Sequence, residues 1–445
     1  MSTNIQKNQI TEGIIWRQLL LFFFPILLGT FFQQLYNTID SVIVGQFVGK
    51  EALAAVGGSS AQIVAFVVGF FTGLSSGASV TIAQFFGAKD SRSANKGLHT
   101  AYAIAAFGGL ILTVSGIILT PFLLEMMNTP ADIVADSAVY LRIYFAGIIF
   151  VLIYNMGSAI LRATGDSKRP LYYLIVCCII NIVLDVLFVI VFHMGVMGVA
   201  VATLIAQAVS AVLVTLKLMR SEGILKLSVK QIRFHGSILK MQLKLGLPTG
   251  FEAILFSITN IAIQSAVNTF GTDTTAAWSA YGKLDAIFWM VSTAFGIAIT
   301  TFVGQNYGAG KMDRVRKSTR VCLLMDFIVS AVLVVFLIAA RFLLFRLFTN
   351  DSHVIEIGCD MLVLITPWYI VYVFIEVIAG ALRGVGNVVV PVAITLLGVC
   401  VLRIAWLAAM LKISPTISAI ILSYPVTWVI TALAFIIYYL SLIHI

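Results

Sequence analysis

Twelve long apolar stretches alternate with short polar ones along this chain. They run approximately over 19–48, 52–83, 98–124, 138–161, 171–192, 195–219, 245–270, 276–303, 321–348, 361–382, 388–411 and 415–440, divided by turns rich in Gly, Asp, Asn or basic residues. A helix needs roughly 20 apolar residues to cross the hydrocarbon of a bilayer, so every stretch is long enough to span one. Lipid supplies no hydrogen bonds to the backbone, and the stretches are too long and too evenly apolar for barrel strands. The pattern therefore predicts an all-α integral membrane protein of twelve transmembrane helices.

Composition narrows this further. Of 445 residues, 60% are hydrophobic and 11% charged, against roughly half and a quarter in soluble domains, which leaves no room for a sizeable soluble domain. The first sixteen residues carry Lys7 and Glu12, and the apolar run after them exceeds a signal-peptide core, so a retained first helix is expected. Five cysteines (Cys177, Cys178, Cys322, Cys359 and Cys400) lack metal-type spacing and lie in or beside apolar segments, as buried small hydrophobes do.

The net charge of +9 sets orientation rather than a nucleic-acid surface, because the basic residues are strung along short loops instead of one face. Apart from Lys50, Arg142, Lys283, Arg341, Arg346, Arg403 and Lys412, all 28 Lys and Arg residues fall on the side of the amino terminus. That bias predicts a multi-pass protein of the cell membrane with both termini cytoplasmic, its basic loops held by anionic lipid. The longest such loop, 217–244, alternates apolar residues with Lys and Arg and reads as an amphipathic interfacial linker between an amino-terminal lobe, 1–216, and a carboxyl-terminal lobe, 245–445.

The halves carry the same motifs. Leu161-Arg162-x-x-Gly165-Asp166-x-x-x-Pro170 recurs as Leu382-Arg383-x-x-Gly386-Asn387-x-x-x-Pro391, and Gln84-x-x-Gly87-Ala88 recurs as Gln305-x-x-Gly308-Ala309, each at an offset of 221. Six spans per repeat is an even number, so both repeats enter the membrane in the same sense. Parallel duplicated bundles of this kind place substrate between the halves near mid-membrane, which favours a transporter.

Polar residues inside spans cost about 2.5 to 3.5 kcal/mol each on the lenient insertion scale and need a reason. Span 1 carries Gln33, Tyr36, Asn37 and Asp40 at helical spacing on one face; span 5 carries Asn181 and Asp185; span 6 carries Thr203, Gln207 and Ser210. Asp40 and Asp185 are expected at similar depth and close enough to meet. Desolvated together, they either share a proton through mutual repulsion or, with Asn and Thr oxygens, cage a hard cation such as Na⁺. In the second half Glu252 and Glu376 lie toward the cytoplasmic side, in spans 7 and 10. In span 8, Lys283 is expected to neutralise an acid on another helix, while Asp326 and Asp360 read as interfacial. Pro25 and Pro248 occupy corresponding places in spans 1 and 7, where each kinks or starts its helix and suits a bending motion. Gly69, Gly73 and Gly77 on span 2 form a ladder for close helix packing.

Taken together, Pro25 with Tyr36-Asn37-x-x-Asp40, the Asn181-Ile-Val-Leu-Asp185 run, Gly198-x-Ala200-x-Ala202-Thr203 and the two paired motifs resemble the multidrug and toxic compound extrusion (MATE) family over nearly the whole chain. The resemblance implies two six-helix lobes forming a V-shaped cavity, and export of cationic, often aromatic small molecules in exchange for H⁺ or Na⁺. Carried over by motif, Asp40, Asn181, Asp185 and Thr203, with Tyr36 beside them, match the coupling-ion site of the amino-terminal lobe, with Na⁺ an option at Asp40 and Asp185. Gln33, Asn37, Gln207, Glu252, Asn260, Tyr372 and Glu376 are the expected substrate-cavity residues, and Pro25 and Pro248 the hinges. One departure stands out: family members that use the span 7 glutamate place an aspartate where this chain has Tyr372, with Glu376 one turn on as a substitute. The alternative is a flippase of lipid or polysaccharide precursors, which would call on Lys283, Arg142 or Arg403 to meet a pyrophosphate. No nucleophile-and-base set, acidic metal motif or nucleotide loop of the G-x-x-x-x-G-K-S/T kind occurs, so the chain reads as no enzyme, driven by no nucleotide and needing no cofactor beyond the coupling ion. A monomer in the lipid bilayer is expected.

Overall fold

The structure, a computed structural model, describes residues 9–443. All regular structure among the described residues is helical. Twelve helices are long and apolar enough to span: α1 (Ile15–Phe47), α2 (Lys50–Gly87), α3 (Ser91–Met126), α4 (Val134–Ala163), α5 (Lys168–Val191), α6 (Gly195–Met219), α7 (Gly236–Asn268), α8 (Thr272–Gly308), α9 (Met312–Arg346), α10 (Ser352–Gly384), α11 (Val389–Ile413) and α12 (Ile417–Leu442). Several outrun the apolar stretches that signal them. Helix α9 begins with Asp313, Arg314, Arg316, Lys317 and Arg320, and α7 with Lys240 and Lys244. A helix satisfies its own backbone in water as well as in lipid, so it continues past the point where hydropathy stops.

The repeated motifs terminate helices. After α4 and α10, Gly165 and Gly386 take left-handed φ values of 98° and 89°. In both places the chain folds back so that Asp166 N–H donates to Leu161 O at 2.9 Å and Asn387 N–H to Leu382 O at 3.0 Å. After α2 and α8, Lys89 (φ 58°) and Gly310 (φ 71°) do the same, with Asp90 N–H on Phe85 O and Lys311 N–H on Asn306 O. Each is a six-to-one closure of the last turn, which satisfies carbonyls that would otherwise be orphaned. Asp90 then caps α3 by accepting from Ser93 N–H, and those hydrogen bonds hold its exposed carboxyl below the usual value.

The chain forms two compact units, Phe24–Gly250 and the residues up to Phe23 together with those from Phe251. Both boundaries fall inside long helices, beside Pro25 in α1 and Pro248 in α7. Both prolines are in helix interiors, so neither is a helix start. In the first unit a core of Leu98, Tyr102, Ile148, Leu152, Ile160 and Val214 joins α3, α4 and α6. Glycines set the closest approach: a Cβ at Gly73 or Gly77 of α2 would collide with the backbone at Gly250, or at Gln242 and Gly246, of α7, while one at Gly246 would lie 2.6 Å from Leu74 O. In the second unit the core gathers Phe288, Leu362, Tyr369, Tyr372, Trp428 and Phe435 from α8, α10 and α12. Large apolar side chains remain exposed in long rows, such as Phe107, Ile111, Val114, Ile118 and Phe122 on α3, as lipid contact requires.

The segment between α6 and α7 is shorter than the 217–244 stretch marked out by sequence, because α6 runs on to Met219 and α7 starts at Gly236. It holds two single turns, Gly223–Leu225 and Val229–Gln231, and α7 is already helical from Gly236. Leu225, Leu227 and Ile232 pack into the core of the first unit; Val229 and Phe234 stay exposed. Asn95 of α3 donates to Ile224 O and Lys226 O, and Ser228 N–H donates to His99 Nε2 at 3.0 Å. In the second unit, Arg314 donates to Ile10 O and Gly13 O, and Lys311 to Thr11 O. All five cysteines are buried and free, as their positions predict.

Candidate functional site

Helices α1, α5 and α6 bring their polar stripes together inside the first unit. Asp40 (7% exposed), Asn181 (1%), Asp185 (0%) and Thr203 (7%) share one buried pocket. Thr203 Oγ1 lies 3.5 Å from Asp40 Oδ2 and receives Asn181 Nδ2 at 3.5 Å. The carboxyl groups of Asp40 and Asp185 stand within hydrogen-bonding reach of each other. Spacing explains the convergence: four residues along α5 bring Asn181 and Asp185 to one face, and the same spacing on α6 aligns Thr203 with Gln207. Immediately after Asp185, α5 widens into a π turn over Val186–Val191, an element common beside functional sites.

The pocket is rich in acceptors and poor in donors. Asp40 Oδ1, both oxygens of Asp185 and Asn181 Oδ1 are buried without a hydrogen-bond donor. Neither carboxyl forms an ion pair among the described residues. Two facing carboxyls that lack a basic partner cannot both stay charged and dry; they need a proton or a small cation between them. No group of three or more His, Cys, Asp and Glu forms among the described residues.

Not every residue of the α1 stripe joins. Tyr36 is buried and its hydroxyl accepts from Gln207 Nε2 at 3.2 Å, which places Gln207 beside the carboxylate pocket. Gln33 and Asn37 are exposed. Four residues on one helical face share a direction, but only the pair facing α6 finds polar partners.

The second unit holds a different arrangement. Glu252 is buried at 9%, and Glu376 is ion-paired at 2.9 Å with Arg383, the arginine of the repeated Leu-Arg motif two turns along the same helix. Glu376 therefore does not stand as a free acid in place of the missing aspartate. Tyr372, at that departing position, packs edge-on against Trp289 and Trp428 with ring centres 4.8 and 5.4 Å away. Around these rings lies a cavity of about 490 Å³, and Asn260, Tyr372 and Glu376 all line it.

Two further ionisable residues line this cavity that the sequence reading does not place among the substrate-cavity residues. Asp285 accepts from Tyr281 Oη, Tyr369 Oη and Trp289 Nε1. Arg403, 3% exposed, donates to Thr427 Oγ1 at 2.9 Å and lies 4.0 Å over the ring of Tyr424. Tyr281, Asp285 and Trp289 recur at helical spacing on α8, which was the available signal. Lys283 is exposed and forms no ion pair within the described residues, so it does not neutralise a neighbouring acid. Asp326 is fully buried four turns into α9, its Oδ1 accepting from Ser330, and is not interfacial; Asp360 is exposed.

The repeat offset of 221 shows how far the halves have diverged. Asn181, Asp185, Thr203 and Gln207 correspond to Leu402, Trp406, Tyr424 and Trp428. Four polar side chains in one repeat are one leucine and three aromatic residues in the other, of which Tyr424 and Trp428 line the cavity.

A duplicated twelve-span helical bundle with buried carboxyls and an aromatic cavity defines the class as a membrane transporter. The MatE family model matches residues 25–187 and again 248–408, once per repeat, and the chain belongs to this family. Among its relatives, the probable multidrug resistance protein YoeA of Bacillus subtilis is 30% identical over 86% of this chain and 84% of its own length. The probable multidrug resistance protein NorM of Thermotoga maritima is 27% identical over 92% and 88%. A solved outward-facing multidrug resistance MATE transporter of the MOP superfamily shares the fold at a TM-score of 0.91, with 20% identity and 98% of each chain covered.

Proposed function

We propose that this transporter exports cationic, aromatic small molecules across the cell membrane, driven by inward movement of H⁺ or Na⁺ through the Asp40–Asp185 pocket. The observation that carries the reading is the facing pair of buried carboxyls whose oxygens lack donors and basic partners. Such a pair binds one positive charge and, on losing it, is left with two like charges in a low dielectric, so occupancy changes the energy of the pocket steeply. Each charge entering across 100 mV supplies about 2.3 kcal/mol. Asn181 and Thr203 contribute neutral oxygens that fit either ion, and Pro25 and Pro248 supply points where α1 and α7 can bend. Of the basic residues a carrier of pyrophosphate lipids would use, Lys283 and Arg142 are exposed and only Arg403 is buried, which favours drug export.

The test is efflux of a fluorescent cationic dye from proteoliposomes under an imposed Na⁺ gradient or an imposed pH gradient. One gradient is expected to drive efflux, and Asp40→Asn to reduce it to background while the protein inserts and elutes normally. Full efflux by Asp40→Asn would remove this residue from coupling, and efflux under neither gradient would end the antiport reading.

A further inference from the structure

The cavity of the carboxyl-terminal unit is lined by Glu376, which is paired with Arg383, and by two further ionisable residues of opposite sign, Asp285 and Arg403. Asp285 accepts from three neutral donors, two phenols and an indole, and has no ion-pair partner among the described residues. Arg403 enters the same cavity from α11. It is buried, stacked on Tyr424, and its Nε has no acceptor. No ion pair joins the two among the described residues. A buried guanidinium with an unmet donor is costly unless something negative meets it, and Thr427 offers only a neutral hydroxyl.

A ligand bearing only positive charge would suit Asp285 and be repelled by Arg403. One with a carboxylate as well would satisfy both, while its rings lie between Trp289, Tyr372 and Trp428. A volume of about 490 Å³ suits a drug-sized molecule of this kind. We propose that this cavity binds aromatic zwitterions, with Asp285 meeting the cationic end and Arg403 reading the carboxylate. The proposal rests on the export reading for why a ligand enters here at all.

The test compares rhodamine B, which carries a free carboxylate, with its ethyl ester, which is otherwise the same cation. Fluorescence polarisation on the full chain in detergent gives both affinities. The wild type is expected to prefer rhodamine B by about tenfold, the scale of one charge-assisted contact. The preference is expected to fall to about one in Arg403→Gln, to survive in part in Arg403→Lys, and to be unchanged in Arg142→Gln, which alters an exposed arginine. A wild type that favours the ester, or a preference unchanged in Arg403→Gln, would overturn the proposal. Where Arg403→Gln fails to elute as a folded protein, the partial preference of Arg403→Lys decides: one equal to the wild type counts against a guanidinium reading the carboxylate. Gradient-driven efflux of the ester from proteoliposomes reads the export function separately. Its loss with the affinity pattern intact would sink export alone, and its presence without the pattern would sink this assignment alone.

Discussion

At the scale of single residues, the polar stripes of α1, α5 and α6 were readable because a charged group in a span has few reasons to exist, and spacing alone put Asn181 with Asp185 and Thr203 with Gln207. What spacing does not contain is rotation: Tyr36 and Asp40 turn inward while Gln33 and Asn37 remain exposed. Asp285 and Arg403 were not placed in the substrate cavity because each looks isolated in sequence and meets its aromatic partners only through the packing of α8, α10, α11 and α12. Titration matters most at the linker between α6 and α7. Burial, then the charges of Arg233, Lys96 and His99, hold His235 below its ordinary value of 6.5. His235 Nε2 accepts from Arg233 Nε while Nδ1 meets Thr100 Oγ1, so the docked ring of His235 is neutral. The undocked linker binds more protons, hence docking is full above the ordinary histidine range and weakens as pH falls through it. The protection factor of the His235 amide, which donates to Thr100 Oγ1, is expected to fall between pH 8 and about 5.5 once the intrinsic pH dependence of exchange is divided out; protection that stays flat would contradict this.

At the scale of elements, helix existence followed from hydropathy, and helix ends from the repeated motifs, whose chemistry became clear as left-handed terminators at Gly165 and Gly386. The glycine ladder on α2 pointed to close packing without naming a partner, because only the coordinates bring Gly73 and Gly77 to α7. A methyl group at Gly77 has no space against Gln242 O and the Gly246 backbone, and both are fixed in helix. Gly77→Ala is therefore expected to destabilise by about 1–3 kcal/mol, in spite of the gain in helix propensity. Denaturant titration of the detergent-solubilised protein checks it; a midpoint equal to or above the wild type would show that the helices separate freely.

At the scale of the whole molecule, charge along the loops predicts orientation independently of any fold. Lys230 in the linker and Asp132 between α3 and α4 are both exposed, and lie on opposite sides in the proposed topology. A cysteine at Asp132 is expected to react with a membrane-impermeant maleimide in intact cells, and one at Lys230 only after the cells are opened; the buried native thiols give little background. The reverse pattern would invert the topology. Duplication was visible as a constant offset, whereas its divergence was not, since Tyr424 and Trp428 look like ordinary span residues until they are set beside Thr203 and Gln207.

That divergence bears on how resistance would evolve. Because one copy carries Thr203 and Gln207 where its twin carries Tyr424 and Trp428, selection for a new antibiotic has, under the proposed export function, a place to act apart from the carboxyl pair: changes at Tyr372, Tyr424 or Trp428 are expected to redraw the spectrum of compounds expelled, and changes at Asp40 or Asp185 to stall transport altogether.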